Sequence, residues 1–238
     1  MKSVIKIGCC GFPRKKVLYF RNFDVVEIQG TFYQLPEKRT ALKWRDEKPC
    51  GFEYTLKAWQ LITHSPSSPT YRKLKTIVEN KENYGFFKTT DEVLSAWENT
   101  SEIADILGVK IIVFQTPVSF KPEEKNIKNM KRFFKNIDRK DFVFCFEPRG
   151  DWDNKLIEKV CRELDLVHCV DPFRNKPVYG KINYFRIHGI NGYNYKYTQK
   201  DLEFLKRIIN EISKPTYVMF NNVYMYEDAL EFKNKIMD

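Results

Sequence analysis

The sequence predicts a single-domain α/β protein, a closed (β/α)8 TIM-like barrel of parallel strands spanning residues 1–238. Three observations predict it. Eight short apolar runs recur along the chain, at 4–8, 25–28, 52–56, 110–114, 142–146, 166–170, 184–187 and 216–220. Most are rich in β-branched and aromatic residues, as strands buried on both faces are. Segments with helical periodicity separate them, the alternation that builds a parallel sheet. Finally, the 238 residues are 42% hydrophobic with 19 Phe, 13 Tyr and 4 Trp, enough for one filled core, and barrels of about 200–250 residues form single domains.

Taken in order, the first run leads into "GCCGF" (8–12). That turn lacks the G-x-G-x-x-G pattern of a doubly wound dinucleotide fold, which counts against the competing open sheet. No P-loop pattern occurs either. After the third run, residues 63–90, including "HSPSSP", form a long connection, to be read as a lid or a helical insertion. Residues 91–108 place Val93, Leu94, Trp97, Ile103, Ala104 and Leu107 on one stripe, open with an acidic turn and stop at Gly108. The segment 121–140 is the densest basic stretch, spaced as a solvated helix face. Helices over 153–164 and 198–212 begin at natural N-caps, Asp153 and Thr198.

The formal net charge is +10, from 41 Lys+Arg against 31 Asp+Glu, a balance that suits a phosphate-rich partner. Its lysines are dispersed along helices, so charge alone does not define a nucleic-acid surface. No apolar run is long enough for a membrane span, and "MKSVIKIGCC" lacks the apolar region of a signal peptide. The chain reads as soluble and cytoplasmic. Six cysteines, at 9, 10, 50, 145, 161 and 169, are scattered without a CxxC pair; in that compartment thiols or metal ligands are expected rather than disulfides.

Barrel chemistry gathers at the C-terminal ends of the strands. The polar residues there are Cys9 and Cys10; Glu27 and Gln29; Lys57 and His64; Gln115; Glu147 and Arg149; Asp171; Arg186 and His188; and Asn221 with Asn222. Buried strands normally exclude ionisable groups because an unpaired buried charge costs several kcal/mol, so this convergence marks a pocket. Alternation along a strand places Cys145, Glu147 and Arg149 on one face, and Cys169 and Asp171 on another. Cys145 and Cys169 then lie one layer below the carboxylates. His168 has the opposite parity and is expected to pack between barrel and helices. Cys50 and Cys161 read as structural.

The chain resembles the YecE-like family, also termed domain of unknown function 72, through eight motifs in order. They are "IGCCGF" (7–12), "VEIQGTFYQLP" (26–36), "FEYTLKAWQLITH" (52–64), "IIVFQTPVSF" (111–120), "CFEPRGDW" (145–152), "VDP" (170–172), "YFRIHG" (184–189) and "YVMFNN" (217–222). The resemblance implies a TIM barrel and supplies no established reaction. Relatives usually carry Thr, Ser and Trp where this chain has Cys9, Cys10 and Phe12. They also read Glu-Phe-Arg where Pro148 stands between Glu147 and Arg149.

Three functions compete. In the leading one, a hydrolase acts on a phosphate-containing or nucleic-acid substrate. Glu147, Asp171, His188 and Glu27 form its catalytic set; Lys57, Arg149, Arg186, Gln115, His64, Tyr33, Asn221 and Asn222 bind substrate. Its bland counterpart pairs Glu147 with Arg149 and Asp171 with Arg186 simply to hold the mouth together. The second function is a non-enzymatic anion- or nucleotide-binding module, in which Phe32, Tyr33, Trp59, Trp152 and "GYNYKYT" (192–198) offer stacking faces. The third is a thiolate-ligated metal protein, with Cys9, Cys10, Cys145 and Cys169 holding zinc or an iron–sulfur cluster. A divalent metal also suits the carboxylates. The adjacent Cys9 and Cys10 are expected at the rim of the site.

Overall fold

The computed structural model describes residues 4–237. Eight strands alternate with helices in the order β1 (Ile5–Cys10), α1 (Lys16–Asn22), β2 (Val25–Ile28), α2 (Gly30–Tyr33), α3 (Lys38–Asp46), β3 (Glu53–Lys57), α4 (Gln60–Thr63), α5 (Asp91–Leu107), β4 (Ile111–Gln115), α6 (Glu124–Asn136), β5 (Val143–Glu147), α7 (Asn154–Leu164), β6 (Val167–His168), β7 (Asn183–Ile187), α8 (Gln199–Asn210), β8 (Thr216–Phe220) and α9 (Met225–Met237). The strands are parallel and ordered β6-β5-β4-β3-β2-β1-β8-β7. A single bridge brings the two ends together: Val170 N–H donates to the Tyr184 carbonyl at 3.3 Å, and Arg186 N–H to the Val170 carbonyl at 2.9 Å. The barrel is therefore nearly closed, as the run count predicts.

The sixth run departs from expectation. Its ladder covers two residues rather than five, and no helix follows it before β7 among the described residues. The strand–helix alternation therefore holds for six of the seven connections between strands and fails at this one, and α9 follows β8. Without a helix there, the outer wall carries a groove of about 590 Å³ between the 172–177 loop and α8. It contains none of the mouth's catalytic candidates. The 63–90 connection forms two 3-10 turns, Pro69–Lys73 and Lys81–Asn83, and returns to α4, where Gly85 and Phe87 donate to the Leu61 and Ile62 carbonyls at 2.9 Å. It is an insertion pinned to α4.

Helix ends follow their signals. Asp153 accepts from the Lys155 and Leu156 amides, and Thr198 forms a capping box with Asp201. On α6, Met130, Phe133 and Phe134 are buried while most of its lysines face solvent. No helix among the described residues is long and apolar enough to cross a membrane.

Side chains of alternate strand residues fill the barrel. Cys10, Val25, Val113, Cys145, Cys169, Tyr184 and Met219 pack as one apolar interior layer. The intervening residues, such as Ile7, Cys9, Val26 and Phe185, face the larger shell of helices. Gly8 sits where strands crowd: a Cβ there would stand 2.1 Å from the Val25 carbonyl oxygen. The glycine before the paired cysteines is thus a packing requirement of the β1–β2 ladder.

Candidate active site

Above that apolar layer, β2, β5 and β7 aim three charged side chains at one another. Arg186 is 1% exposed and Glu27 is fully buried. Arg186 donates from Nε to Glu27 Oε2 at 3.0 Å, from Nη2 to Glu27 Oε1 at 2.9 Å, and from Nη1 to Glu147 Oε2 at 2.5 Å. Tyr184 Oη donates to Glu27 Oε2 at 3.0 Å and lies 2.7 Å from the Thr55 hydroxyl. Gln29 completes the ring when its amide is oriented as its neighbours require, the oxygen 3.3 Å from Arg186 Nη2 and the nitrogen 3.3 Å from the Cys10 carbonyl. Every Arg186 nitrogen is engaged, so this guanidinium supports the site from beneath and cannot grip substrate. Glu27, with both oxygens occupied, is likewise an anchor below the mouth and not a free base. Arg186, expected to bind substrate, and Glu27, expected to be catalytic, are thus placed beneath the mouth and bonded to each other. Asp171 does not pair with Arg186, contrary to the bland arrangement.

Glu147 is the link between floor and mouth. Its Oε1 lies 2.7 Å from Arg149 Nη2 and 2.9 Å from His188 Nε2. Burial pushes its carboxyl up, but Arg186, then Arg149 and His188, outweigh that and hold it well below the usual carboxylate range. His188 Nδ1 lies 3.1 Å from Asn221 Nδ2, and its Nε2 lies 2.9 Å from both Glu147 Oε1 and Arg149 Nη2. With the proton on Nε2 the ring donates to Glu147 and accepts from Asn221 at Nδ1, and with it on Nδ1 the ring accepts from Arg149 at Nε2. Burial lowers the His188 pKa despite Glu147, and the ring is neutral at pH 7. Asp171 positions it through the backbone, accepting from the His188 amide at 3.0 Å and the Phe173 amide at 3.1 Å. Gly189 then turns the chain at φ +88°, where a Cβ would meet the Gly192 carbonyl oxygen at 2.1 Å.

A polar cavity of about 230 Å³ opens beside this cluster, lined by Glu147, Arg149, Asp171, Arg174 and His188 among others. The Nε of Arg149 is buried there without a hydrogen-bond partner among the described residues. His168 lines the same cavity and accepts from the Val178 amide at 3.3 Å.

The other sequence candidates scatter. Lys57 lies near the centre, donating to Gln115 Oε1 at 2.7 Å with its Nζ 3.8 Å from the Phe32 ring centroid. Burial and then Arg186 pull its pKa down to about 7. His64 is buried, bonded through Nδ1 to the Thr63 hydroxyl at 2.8 Å and packed edge-on to Phe32. Tyr33 sits outside the network under Lys73. Asn222 turns away and donates to the Tyr195 carbonyl and Asp228, which corrects its expected binding role. Sequence reasoning misses Tyr184 and Thr55 as members of the network, and places Gln29 at a strand end without giving it a role. The same alternation that relates Arg186 to His188, and Lys57 to Thr55, contains the signal for the first two.

The thiols do not form one ligand set. Cys9 faces outward and donates from Sγ to the Met225 carbonyl at 3.2 Å, while its own amide donates to Tyr19 Oη. Cys10, Cys145 and Cys169 face the interior layer. Burial pushes Cys9 up to about 12 and the other three well above the ordinary thiol value. Among the described residues no group of three or more His, Cys, Asp and Glu is placed to hold a metal ion. The zinc or iron–sulfur reading is therefore corrected, and so is the rim position: both adjacent cysteines are packing residues, one on each side of the barrel wall.

The model for the family described as "Protein of unknown function DUF72" matches residues 14–238. This chain belongs to the DUF72 family. The YecE-like resemblance carried by the eight motifs refers to the same family. UPF0759 protein YunF of Bacillus subtilis (strain 168) is 21% identical over 242 residues, covering 88% of this chain and 80% of that one. A crystal structure of a DUF72 family protein from Thermotoga maritima MSB8 superposes with a TM-score of 0.74 at 23% identity, covering 99% of this chain and 100% of that one. A wider likeness of fold extends to endonuclease IV from Thermus thermophilus, with a TM-score of 0.56, 9% identity and coverage of 97% of this chain and 99% of that one.

The buried histidines carry a pH prediction. Burial lowers His64 to about 3 and His168 to about 4, whereas both take up a proton near 6.5 once unfolded. Below about pH 6.5 the unfolded chain binds more protons, so stability falls with acidification until the folded pKa values are reached. Each histidine contributes a slope of about 1.4 kcal/mol per pH unit in that window. Urea unfolding at pH 7.0 and 5.0 is expected to show the loss, and His168→Asn is expected to reduce it. An equal loss in that variant rules out the His168 contribution.

Proposed function

We propose that this DUF72 barrel is a hydrolase of phosphate esters, acting on nucleic-acid or nucleotide substrates at the C-terminal mouth. The observation that carries the reading is Arg149: a guanidinium with a buried, unpartnered Nε beside a polar cavity, held by the same Glu147 oxygen that His188 approaches. Guanidinium donors match phosphate oxygens in a fork geometry. In this reading Arg149 binds the phosphate and Arg174 adds charge at the cavity edge. Glu147 orients the His188 ring, and the neutral imidazole takes a proton at Nδ1 when the Asn221 amide swings away. Asp171 is a positioning residue. The net charge of +10 favours an anionic partner. The shared barrel with endonuclease IV is a likeness of fold and leaves the chemistry to the residues.

A binding module is the second reading, favoured by His188, whose two ring nitrogens are both already hydrogen-bonded. One experiment separates them. Defined single- and double-stranded oligonucleotides, nucleotides and a phosphodiester ester are incubated with the protein, with and without added divalent cations. Arg149→Ala is expected to weaken phosphate binding about 10- to 100-fold, and His188→Asn to lower turnover about 100-fold or more while binding persists. Binding without turnover on any substrate leaves the module; neither binding nor turnover ends both readings.

A further inference from the structure

We propose that Lys57 is an imine-forming nucleophile that takes the carbonyl group of a phosphorylated aldehyde or ketone at the barrel mouth. It is the last residue of β3 and is buried, with its amine at the C-terminal end of the strand. A buried lysine with a purely structural role is normally matched by a carboxylate, because an unpaired ammonium is expensive to desolvate. Here the two nearby carboxylates, Glu27 and Glu147, are committed to Arg186. Lys57 is left with the neutral Gln115 amide and the face of Phe32.

The charged and titratable groups acting on the amine are Arg186 on β7, Glu147 and Arg149 at β5, Glu27 on β2 and His64 after α4. Burial and the two arginines outweigh the carboxylates and bring it to about 7. An ordinary lysine is almost wholly ammonium at that pH; this one is a neutral amine in a large fraction of molecules. Desolvation beside a second cation is how lysines become nucleophiles.

The step balances without an oxidant or reductant. The amine lone pair attacks the carbonyl carbon, forming a C–N bond, and the carbonyl π electrons pass to oxygen, which is protonated. That first proton comes from the attacking nitrogen; a second, taken up from solvent, lets the carbinolamine expel the oxygen as water, leaving an iminium on Nζ. His188, just past the end of β7 and so across the barrel from β3, is the group assigned to exchange a proton with a carbon next to the imine. The phosphate half of this proposal rests on Arg149 as the anion anchor of the preceding reading; the amine half does not.

The test is reductive trapping of the full chain with sodium cyanoborohydride at pH 7, using glyceraldehyde 3-phosphate and unphosphorylated glyceraldehyde as probes. Adducts are located by peptide mass mapping. The expected result is a dominant reduced adduct on Lys57. Its formation rate is expected to rise with pH through a midpoint near 7. The adduct should be absent from Lys57→Arg, which keeps the charge but cannot form an imine at neutral pH. Mapping on the unaltered chain keeps the proposal testable if that variant misfolds. The phosphorylated probe is expected to react about 10- to 100-fold faster, an advantage lost in Arg149→Ala. Equal rates for both probes, with the adduct still on Lys57, support the imine and overturn the anion anchor. Adducts spread over surface lysines with Lys57 unmodified overturn the proposal.

Discussion

Arg186→Met is expected to destabilise the barrel by about 3–5 kcal/mol, because it leaves Glu27 and Glu147 buried without their counter-charge. Single domains are stable by roughly 5–15 kcal/mol in total, so the variant is expected to populate unfolded forms at 37 °C. The size follows from geometry. Three of the arginine's nitrogens bond two carboxylates from different strands, and both carboxylates are buried above a layer of apolar side chains. Neutralising the acids together, as Arg186→Met with Glu27→Gln and Glu147→Gln, is expected to recover a substantial part of the loss, since the remaining amides can hydrogen-bond one another. Urea unfolding measures both. A loss below about 1 kcal/mol in the single variant contradicts a buried ion-pair floor.

Lys57→Met is expected to act in the opposite direction and stabilise the protein by about 1–4 kcal/mol at pH 7, the range seen when well-packed apolar side chains replace buried charge. The pH dependence identifies the cause. Lys57 is held at about 7 in the folded barrel and returns to about 10.4 in the unfolded chain. Between those values the unfolded chain keeps a proton that the folded chain has released, so stability rises with pH at up to about 1.4 kcal/mol per unit. Below about pH 7 both forms are protonated and this contribution is flat. In denaturant titrations the stability change from pH 7 to pH 9 is expected to be more positive in the parent protein than in Lys57→Met, because the buried thiols, which the unfolded chain ionises first, oppose the rise equally in both. A destabilised variant with the same pH slope as the parent means that the amine is not the strained group.

The two predictions meet at Arg186. Arg186 holds the carboxylates ionised and in place, and its positive charge is then one reason the Lys57 amine loses its proton. Reading the same arginine as a substrate ligand misses this. Its position near the end of β7 marks it as a mouth residue, but sequence alone does not say that Glu27 and Glu147 reach it from either side.

The eight runs, the interior parity of Cys145 with Glu147 and of Cys169 with Asp171, and the caps at Asp153 and Thr198 follow from the sequence by itself. Each depends on periods of two or 3.6 residues, or on a side chain within three residues of its partner, and those interactions are local. Only tertiary structure decided which of Cys9 and Cys10 faces the barrel interior, that Asn222 serves Asp228, and that the connection after β6 has no helix. It also decided which acid belongs to which base. The Arg186–Glu27 and Arg186–Glu147 pairs join residues 159 and 39 positions apart. They meet because barrel closure brings β2, β5 and β7 around one axis, and in an interior that excludes water each charge takes the nearest opposite charge that the closed geometry delivers.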